Sequence, residues 1–388
     1  MVASKRQQTK MKQIWTFFKK EIVLTVAWIL AFVSAFFVVP DKTYLQYIDF
    51  RSLGILWSLM VVMEGMKEHG IFDRAGMWLL QKTKKEGQIY FVLVFVCFFS
   101  SMFITNDVAL ITFVPFTVLM LQKCNKEKQM IPVIVLQTIA ANLGSMMTPI
   151  GNPQNLYLYG LSGMSLGTFV LNMLPYTILS GILLVGSLII LCKKADEGKN
   201  SVVMTEMNDS TAQGNEPLSK KVMVYGILFL LALLVVARIL PYQILVVFVL
   251  VTVLCMERKI LIQIDYALLF TFLGFFIFTG NMGRIESVKN FFAGIIAGRE
   301  IGVSVVLSQC ISNVPAALLL SGFTENYKQL LLGVNFGGLG TLIASLASLI
   351  SYKIYANAYS EKKSAYFMYF TKMSLLFLGV LLVASFCF

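Results

Sequence analysis

Long apolar runs, separated by short polar links, recur along the whole chain. A membrane-spanning helix needs about 20 mostly apolar residues, and fewer where its ends snorkel or the bilayer thins. The predicted spans cover residues 22–39, 53–66, 131–147, 166–191, 222–240, 242–256, 264–282, 329–351 and 365–388. Segment 71–81 alternates apolar and polar positions and predicts an interfacial amphipathic helix or a short linker helix, and segment 291–298 predicts a short amphipathic piece. The pattern indicates an all-α polytopic membrane protein.

Two further apolar runs are interrupted at their centres by polar residues. Run 90–122 contains Thr105-Asn106-Asp107, and run 301–322 contains Ser312-Asn313-Val314-Pro315. Each arm of the second run has about ten residues, or roughly 15 Å of helix, which is about half the hydrocarbon thickness. That length favours a re-entrant hairpin over two spans, with one broken span as the alternative. The first run fits a re-entrant hairpin or two short spans equally well, because basic residues flank both of its ends.

Segment 141–155 has a composition that an unbroken membrane helix does not need. Its asparagines, glycines and prolines are Asn142, Asn152, Asn155, Gly144, Gly151, Pro149 and Pro153. Proline and glycine interrupt a helix and free backbone N–H and C=O groups, which lipid cannot satisfy. The segment therefore predicts a broken helix that faces protein or a wet cavity, as in transporter binding sites. A tight external turn between two ordinary spans is the alternative.

The second half of the chain repeats the polar landmarks of the first half in the same order. Asp49 and Asp265 each open a span, and Thr105-Asn106 and Ser312-Asn313 each interrupt an apolar run. Asn142 and Asn335 each precede a threonine by six residues, since 148 − 142 = 6 and 341 − 335 = 6. Three such matches, each at a hydropathy break, indicate an internal repeat.

Counting crossings gives the orientation of the two repeats. With both interrupted runs treated as hairpins, the first half crosses four times, and span 222–240 then inverts the second half. The predicted fold has two inverted-topology repeats, each with a re-entrant hairpin and a broken transmembrane helix. Its parts are a cytoplasmic basic N-terminus (1–21), repeat 1 (22–192, hairpin about 88–122), a cytoplasmic linker (193–221), the inverting span (222–240) and repeat 2 (241–388, hairpin about 301–322).

Charge supports this topology and narrows the class of function. The chain is 57% apolar and only 13% charged, and its net charge of +12 fits basic cytoplasmic links better than nucleic-acid binding. The basic links then predict nine crossings of the cell (plasma or inner) membrane, with the N-terminus cytoplasmic and the C-terminus outside. His69 is interpreted as a solvated loop residue. Without a C-x-x-C pair, an acid–histidine–cysteine cluster or a nucleophile motif, we expect no zinc site, no cofactor and no enzyme.

The interruptions carry the candidate chemistry. Helix N-termini at such breaks suit an anion, whereas free carbonyls with Asn and Thr oxygens suit Na⁺ as a coupling ion. Asp107 is interpreted either as a cation ligand or proton carrier, or as the N-cap of the second arm of the hairpin. The predicted substrate-binding residues are Thr105, Asn106, Asn152, Asn155, Ser312, Asn313 and Thr341. The predicted ion-binding residues are Asn106, Asp107, Asn142, Gly144, Thr148, Asn313, Asn335 and Gly337.

The motifs at the first tip and the first broken helix resemble the ion transporter superfamily. That group includes divalent anion/sodium symporters, citrate transporters and arsenite/antimonite permeases. The resemblance implies a scaffold domain, a moving transport domain with two opposed hairpins, an elevator mechanism and a homodimer. In the anion/sodium symporters each hairpin tip reads Ser-Asn-Thr. Asn106 and Asn313 match that pattern, whereas Asp107 and Val314 depart from it, and Asp107 resembles the arsenite-permease-like members.

The expected function is secondary active transport of a small anion, either an inorganic oxyanion or a di- or tricarboxylate, coupled to Na⁺ or H⁺. The expected partners are this anion, membrane lipid and a second copy of the chain. Two alternatives remain open. One is a Na⁺/H⁺ antiporter that uses Asp107, and the other is an arsenite/antimonite efflux permease.

Overall fold

The computed structural model describes residues 21–81, 86–196 and 220–387. Within these residues the chain is helical, and none of them forms a strand. The predicted basic N-terminus up to residue 20, most of the predicted linker (197–219) and residue 388 lie outside the described part.

The described helices fall into two runs of nine, with one helix between them. The first run is α1 (Ile22–Phe37), α2 (Tyr44–Tyr47), α3 (Phe50–Glu68), α4 (Ile71–Gln81), α5 (Glu86–Ser100), α6 (Asn106–Lys123), α7 (Met130–Ser145), α8 (Pro153–Ser162) and α9 (Leu166–Asp196). Helix α10 (Lys220–Val236) follows. The second run is α11 (Tyr242–Met256), α12 (Ile260–Gln263), α13 (Tyr266–Arg284), α14 (Glu286–Ile296), α15 (Glu300–Ile311), α16 (Asn313–Leu320), α17 (Tyr327–Phe336), α18 (Leu346–Ala358) and α19 (Lys363–Ala384).

The predicted landmarks lie at matching places in the two runs. Asp49 caps α3 by accepting a hydrogen bond from the Ser52 N–H at 3.0 Å, and Asp265 caps α13 by accepting one from the Ala267 N–H at 3.0 Å. In both helices the carboxylate satisfies a backbone donor that the first turn leaves free. The element order α1–α9 therefore recurs as α11–α19.

Several described helices suit a membrane by length and by the side chains that they expose. Helices α9, α13 and α19 are long and apolar enough to cross on their own, and α1 and α11 are shorter apolar helices. Large apolar side chains point outward from α1, where Phe32 and Phe36 are 67% and 74% exposed. Such exposure suits contact with lipid rather than with water.

The two runs interlock by reciprocal packing. Helix α1 packs on α13, while α11 packs on α3. Helix α6 packs on α18, while α16 packs on α8. Helices α1, α3, α10, α11 and α13 contact one another in one group. Helices α5–α7 form a second group and α15–α17 a third, and these two are joined where α7 contacts α17. Each half thus completes the packing of the other half.

Two predictions about the ends of elements are corrected by the structure. His69 is not a solvated loop residue. It is the C-cap residue of α3, its ring lies against Tyr225 with centroids 5.8 Å apart, and its Nε2 is 2.9 Å from Oε2 of Glu257. The predicted amphipathic segment 291–298 is shorter than the helix that forms, because α14 starts at Glu286 and one residue separates it from Arg284, where α13 ends. Helices α14 and α15 meet at an angle of 106°.

Candidate substrate and ion site

Four helices begin at one narrow cavity, here called the central cavity. It has a volume of about 10 Å³, which is room for about one water molecule. It is lined by the first residues of α6, α8, α16 and α18, together with one residue of α13. The lining residues are Asn106, Asp107, Pro153, Gln154, Asn313, Val314, Ser345, Leu346 and Leu268. Helix N-termini carry partial positive charge and unpaired N–H groups, so their convergence favours an anion.

Local sequence explains why each helix begins there. Asn152 caps α8 through its Oδ1, which accepts from the Asn155 N–H at 2.9 Å, and Pro153 fits the first turn because it needs no N–H partner. Thr105, Ser312 and Ser345 precede α6, α16 and α18 without a side-chain cap hydrogen bond. Ser312 has φ 75°, a left-handed conformation that is uncommon outside glycine and lets α15 turn directly into α16.

The two interruption motifs meet in this cavity. Asn106 and Asn313 come from different halves of the chain, are each 5% exposed, and both line the central cavity. The Asn106 Nδ2 donates to Oδ1 of Asn142 at 3.0 Å. The Asn313 Nδ2 lies so close to Gly338 that a Cβ there would approach it to 2.9 Å. The side chains at equivalent positions of the two halves therefore lie around one site.

The predicted asparagines of the broken helices lie behind the cavity and join the two halves. Asn142 accepts from Ser345 Oγ at 3.0 Å and donates to Ser348 Oγ at 3.1 Å. Asn335 accepts from Asn152 Nδ2 at 3.1 Å and donates to Asn155 Oδ1 at 2.7 Å. The pairs are equivalent, since 335 − 142, 345 − 152 and 348 − 155 all equal 193. Asn142 thus contacts the start of α18, and Asn335 contacts the start of α8.

Three of the predicted glycines lie where two segments of backbone or side chain approach each other closely. A Cβ on Gly144 would lie 2.1 Å from the Phe98 carbonyl oxygen, and one on Gly337 would lie 2.5 Å from Ser308 Oγ. A Cβ on Gly151 would lie 2.1 Å from the Ser145 carbonyl oxygen. The three glycines therefore occupy places of close approach rather than the wall of the cavity.

The remaining predicted residues hold the loops around the breaks. Thr148 Oγ1 donates to the Met102 carbonyl, and the Thr341 N–H donates to Oε1 of Gln309 at 2.8 Å. Ser312 Oγ is 3.4 Å from the Ala344 carbonyl oxygen. Thr105, Asn152, Asn155, Thr148, Thr341 and Ser312 are absent from the cavity lining. Of the predicted residues, Asn106, Asp107 and Asn313 are those that the structure places in it.

Asp107 does not cap α6, so the capping interpretation is wrong. Thr105 is the N-cap residue, and Asp107 is the second residue of the helix. Its N–H donates to Asn106 Oδ1 at 3.0 Å, and the residue lines the central cavity. None of the described residues that line the cavity is a lysine or an arginine. Within this lining, the groups with positive charge near Asp107 are the helix N-termini.

Four residues near the site were not predicted from the sequence. Gln154 is 1% exposed, lines the cavity, and its Oε1 accepts no hydrogen bond from the described residues. Ser345 and Ser348 could have been found by extending the repeat, because they stand where the first half has Asn152 and Asn155. Gln309 lies inside an apolar run and gave no signal beyond being polar.

Comparison with known proteins identifies the family of this chain. The family model described as citrate transporter matches residues 14–330. The chain belongs to the citrate transporter family. An uncharacterized transporter of Methanocaldococcus jannaschii is 33% identical over 310 residues, which is 79% of this chain and 81% of that protein. Inner membrane protein YbiR of Escherichia coli is 30% identical over 334 residues, or 84% and 86% of the two chains.

A more distant relative shares only part of the chain. The silicon efflux transporter LSI3 of Oryza sativa is 31% identical over 135 residues, which is 35% of this chain and 27% of that protein. Family membership and the apolar helices together indicate a multi-pass membrane transporter.

Proposed function

We propose that this protein is a secondary active transporter that carries a small anion, an inorganic oxyanion or a small carboxylate, coupled to Na⁺ or H⁺. The observation that carries the proposal is the meeting of four helix N-termini at the central cavity. Their N–H groups and partial positive charges provide an anion site without a basic side chain. Asn106, Asn313 and Gln154 add side-chain amides that donate to oxygen atoms.

The Asp107 carboxylate explains why anion transport would be coupled to a cation. A carboxylate beside a bound anion is repelled by it, and at membrane depth the unpaired charge is already costly. Anion and cation therefore bind together best, with the cation neutralising Asp107 as a proton or as an ion. The cation gradient then drives the anion across, and neither species binds well alone.

The proposed movement is of the elevator type, in two inverted repeats with re-entrant hairpins α5–α6 and α15–α16. Reciprocal packing of α1 on α13 and of α11 on α3 supports a scaffold, which we propose pairs with a second copy. Helices α15 and α16 have 12 and 8 residues, which is about 18 Å and about 12 Å, so each is too short to cross alone. The narrow cavity corresponds to a closed stage of this cycle.

A second candidate cargo is a neutral oxyacid that leaves the cell. The observation that favours it is the absence of lysine and arginine among the residues that line the cavity, beside the Asp107 carboxylate. A neutral hydroxyl-bearing solute would bind the same amides without repelling Asp107. The partial similarity to a silicon efflux transporter points in the same direction.

A binding screen on the purified full-length protein separates these cargoes. The Tm is measured with sulfate, citrate, succinate, arsenite and silicic acid at equal ionic strength and pH. We expect one anion to raise the Tm of the wild type, and to raise that of Asn313→Ala much less. Stabilisation by silicic acid or arsenite alone would indicate that the cargo is a neutral oxyacid and not an anion. Stabilisation by cations with no response to any solute would favour an antiporter and contradict the proposal.

A further inference from the structure

At each break a side-chain amide lies among backbone carbonyl oxygens. The first break is residues 146–152, between α7 and α8, and the second is residues 337–345, between α17 and α18. The Asn155 Nδ2 lies 3.2 Å, 3.3 Å and 3.2 Å from the carbonyl oxygens of Ser145, Met146 and Thr148. The Gln309 Nε2 lies 3.1 Å, 3.0 Å and 2.9 Å from those of Val305, Gly337 and Leu339.

The orientation of both amides is fixed by their partners. A carbonyl oxygen only accepts, so the atom that faces three of them must be the NH₂ group. The opposite oxygen of each amide accepts in turn. Asn155 Oδ1 accepts from Asn335 Nδ2 at 2.7 Å, and Gln309 Oε1 accepts from the Thr341 N–H at 2.8 Å. Exchanging O and N would set acceptor against acceptor at the carbonyl oxygens and donor against donor at Asn335 Nδ2 and the Thr341 N–H.

The surroundings of each NH₂ group resemble a small cation site. An amide has two hydrogens, so three carbonyl oxygens offer more acceptors than it can fully use. Carbonyl oxygens freed at helix breaks are the groups with which transporters of this architecture coordinate Na⁺. Here carbonyl oxygens of the breaks, joined at the second break by the Val305 carbonyl of α15, already surround the NH₂ group of a covalently attached amide. This group cannot dissociate and cannot follow a gradient.

The two amides come from positions that are not equivalent in the repeat. Asn155 corresponds to Ser348 (348 − 155 = 193), and Gln309 corresponds to Met102, since 309 − 102 and 313 − 106 both equal 207. Each half thus reaches the same arrangement through a different residue. Gly340 makes room for the second one, because a Cβ there would lie 2.5 Å from Gln309 Oε1.

We propose that the side-chain amides of Asn155 and Gln309 occupy the cation positions at the two breaks, so that Na⁺ does not bind there and transport does not use these positions for coupling. This inference rests on the proposed function, because it concerns how the transporter is coupled. It leaves Asp107 in the central cavity as the site where charge is exchanged.

The test converts each amide into a carboxylate. In Asn155→Asp and Gln309→Glu an oxygen replaces the NH₂ group and faces the carbonyl cluster, which is repulsive unless a cation enters between them. We expect the Tm of both variants to be low in choline chloride and to rise by several degrees in NaCl, and by less in KCl, at equal ionic strength. Any rise of the wild-type Tm in NaCl should come from the central cavity and should therefore be lost in Asp107→Asn.

The repeat itself supplies matched controls. Asn155→Ser and Gln309→Met install the residues that stand at the equivalent positions of the other half. They remove the amide without adding charge, so their Tm should fall, and the rise from choline chloride to NaCl should be smaller than in the carboxylate variants. The Tm is read without any substrate, and an error in the proposed cargo would therefore leave these comparisons unchanged.

Two results would overturn the inference. One is a Na⁺-specific rise in the wild-type Tm that Asp107→Asn retains, since Na⁺ would then bind away from the central cavity. The other is that the carboxylate variants fold and have the same Tm in choline chloride, NaCl and KCl. If neither carboxylate variant folds, the wild-type comparison still decides the question.

Discussion

Asp107 places a carboxylate among four helix N-termini, where an anionic cargo would meet it. Its sequence context gave two interpretations: the structure excludes the N-cap, and the cation ligand or proton carrier stays a prediction. Sequence alone could not exclude the cap, because a shift of two residues in the helix start decides whether Asp107 caps α6 or lies in its first turn.

Replacing Asp107 by asparagine should remove the cation dependence of transport. The amide stays neutral at every pH and attracts a cation less, so uptake by the variant should no longer vary with external pH or Na⁺. Initial uptake rates in proteoliposomes measure this across a series of pH values and Na⁺ concentrations. Asp49→Asn is the control, since asparagine caps α3 as well as aspartate does. An unchanged dependence in Asp107→Asn would leave the carboxylate without a role in coupling.

Gly144 should tolerate no side chain. Alanine there places a methyl group 2.1 Å from the Phe98 carbonyl oxygen, so the α7–α5 contact must open. We expect Gly144→Ala to lower the free energy of unfolding by about 1–3 kcal/mol, as overpacking does. Gly186→Ala in α9 is the control, because nothing lies within 4 Å of its Cβ position. Thermal unfolding of both variants checks this, and equal Tm values would contradict the close packing.

At the scale of helices, the sequence predicted where helices break better than it predicted which helices pack together. Asn142 and Asn335 stood out because polar residues interrupt apolar runs at equal spacing. Ser345 and Ser348, the partners of Asn142, did not stand out, because serine is common inside membrane helices and only the long-range packing of α7 on α18 brings them to Asn142. Such contacts between halves have no local signature in the sequence.

The joint between α3 and α11 is a second contact that only the fold reveals. Glu257, at the end of α11, accepts hydrogen bonds from Lys221 and Tyr225 and pairs with His69. Burial alone raises the pKa of the Glu257 carboxyl, but the hydrogen bonds from Lys221 and His69 outweigh it and hold this pKa below its ordinary value. The ionised form is therefore the one that stabilises the joint.

This joint should weaken in acid. A carboxylate whose pKa is lowered by folding stabilises the protein above its unfolded pKa, which is about 4.3 for glutamate, and this contribution is lost as pH falls through the folded-state pKa. The Tm of the wild type should therefore fall more steeply below about pH 4.3 than that of Glu257→Gln. Glu361→Gln, at an exposed position, should keep the wild-type slope. Parallel slopes for wild type and Glu257→Gln would show that the joint does not depend on this charge.

At the scale of the whole molecule, the hydropathy pattern predicted the element order well. Helices formed near the predicted runs, with ends displaced by a few residues, as at α14. The hydropathy pattern by itself gave no contact between the two tips. The internal repeat predicted that Asn106 and Asn313 serve one site, and both line the central cavity. That meeting depends on α6 packing on α18 and α16 on α8, contacts between residues about 200 positions apart in the chain.

The predicted topology makes a prediction about labelling. Nine crossings with a cytoplasmic N-terminus place the C-terminus outside the cell. A variant that keeps only Cys387, which is exposed, should react with a membrane-impermeant maleimide on intact cells. A variant whose only cysteine is introduced by Lys128→Cys should react only after permeabilisation, since it lies in a link predicted to be cytoplasmic. The opposite pattern would mean that the crossing count is wrong.

The most direct test of a shared anion site compares Asn106→Ala with Asn313→Ala. Uptake of the anion that stabilises the wild type is measured in proteoliposomes, with Tm as the check that each variant is folded. A hydrogen bond to a charged group contributes about 1.5–3 kcal/mol, so each change should lower the apparent affinity by about 10- to 100-fold. Near-normal uptake by both folded variants would contradict a site formed jointly by the two halves.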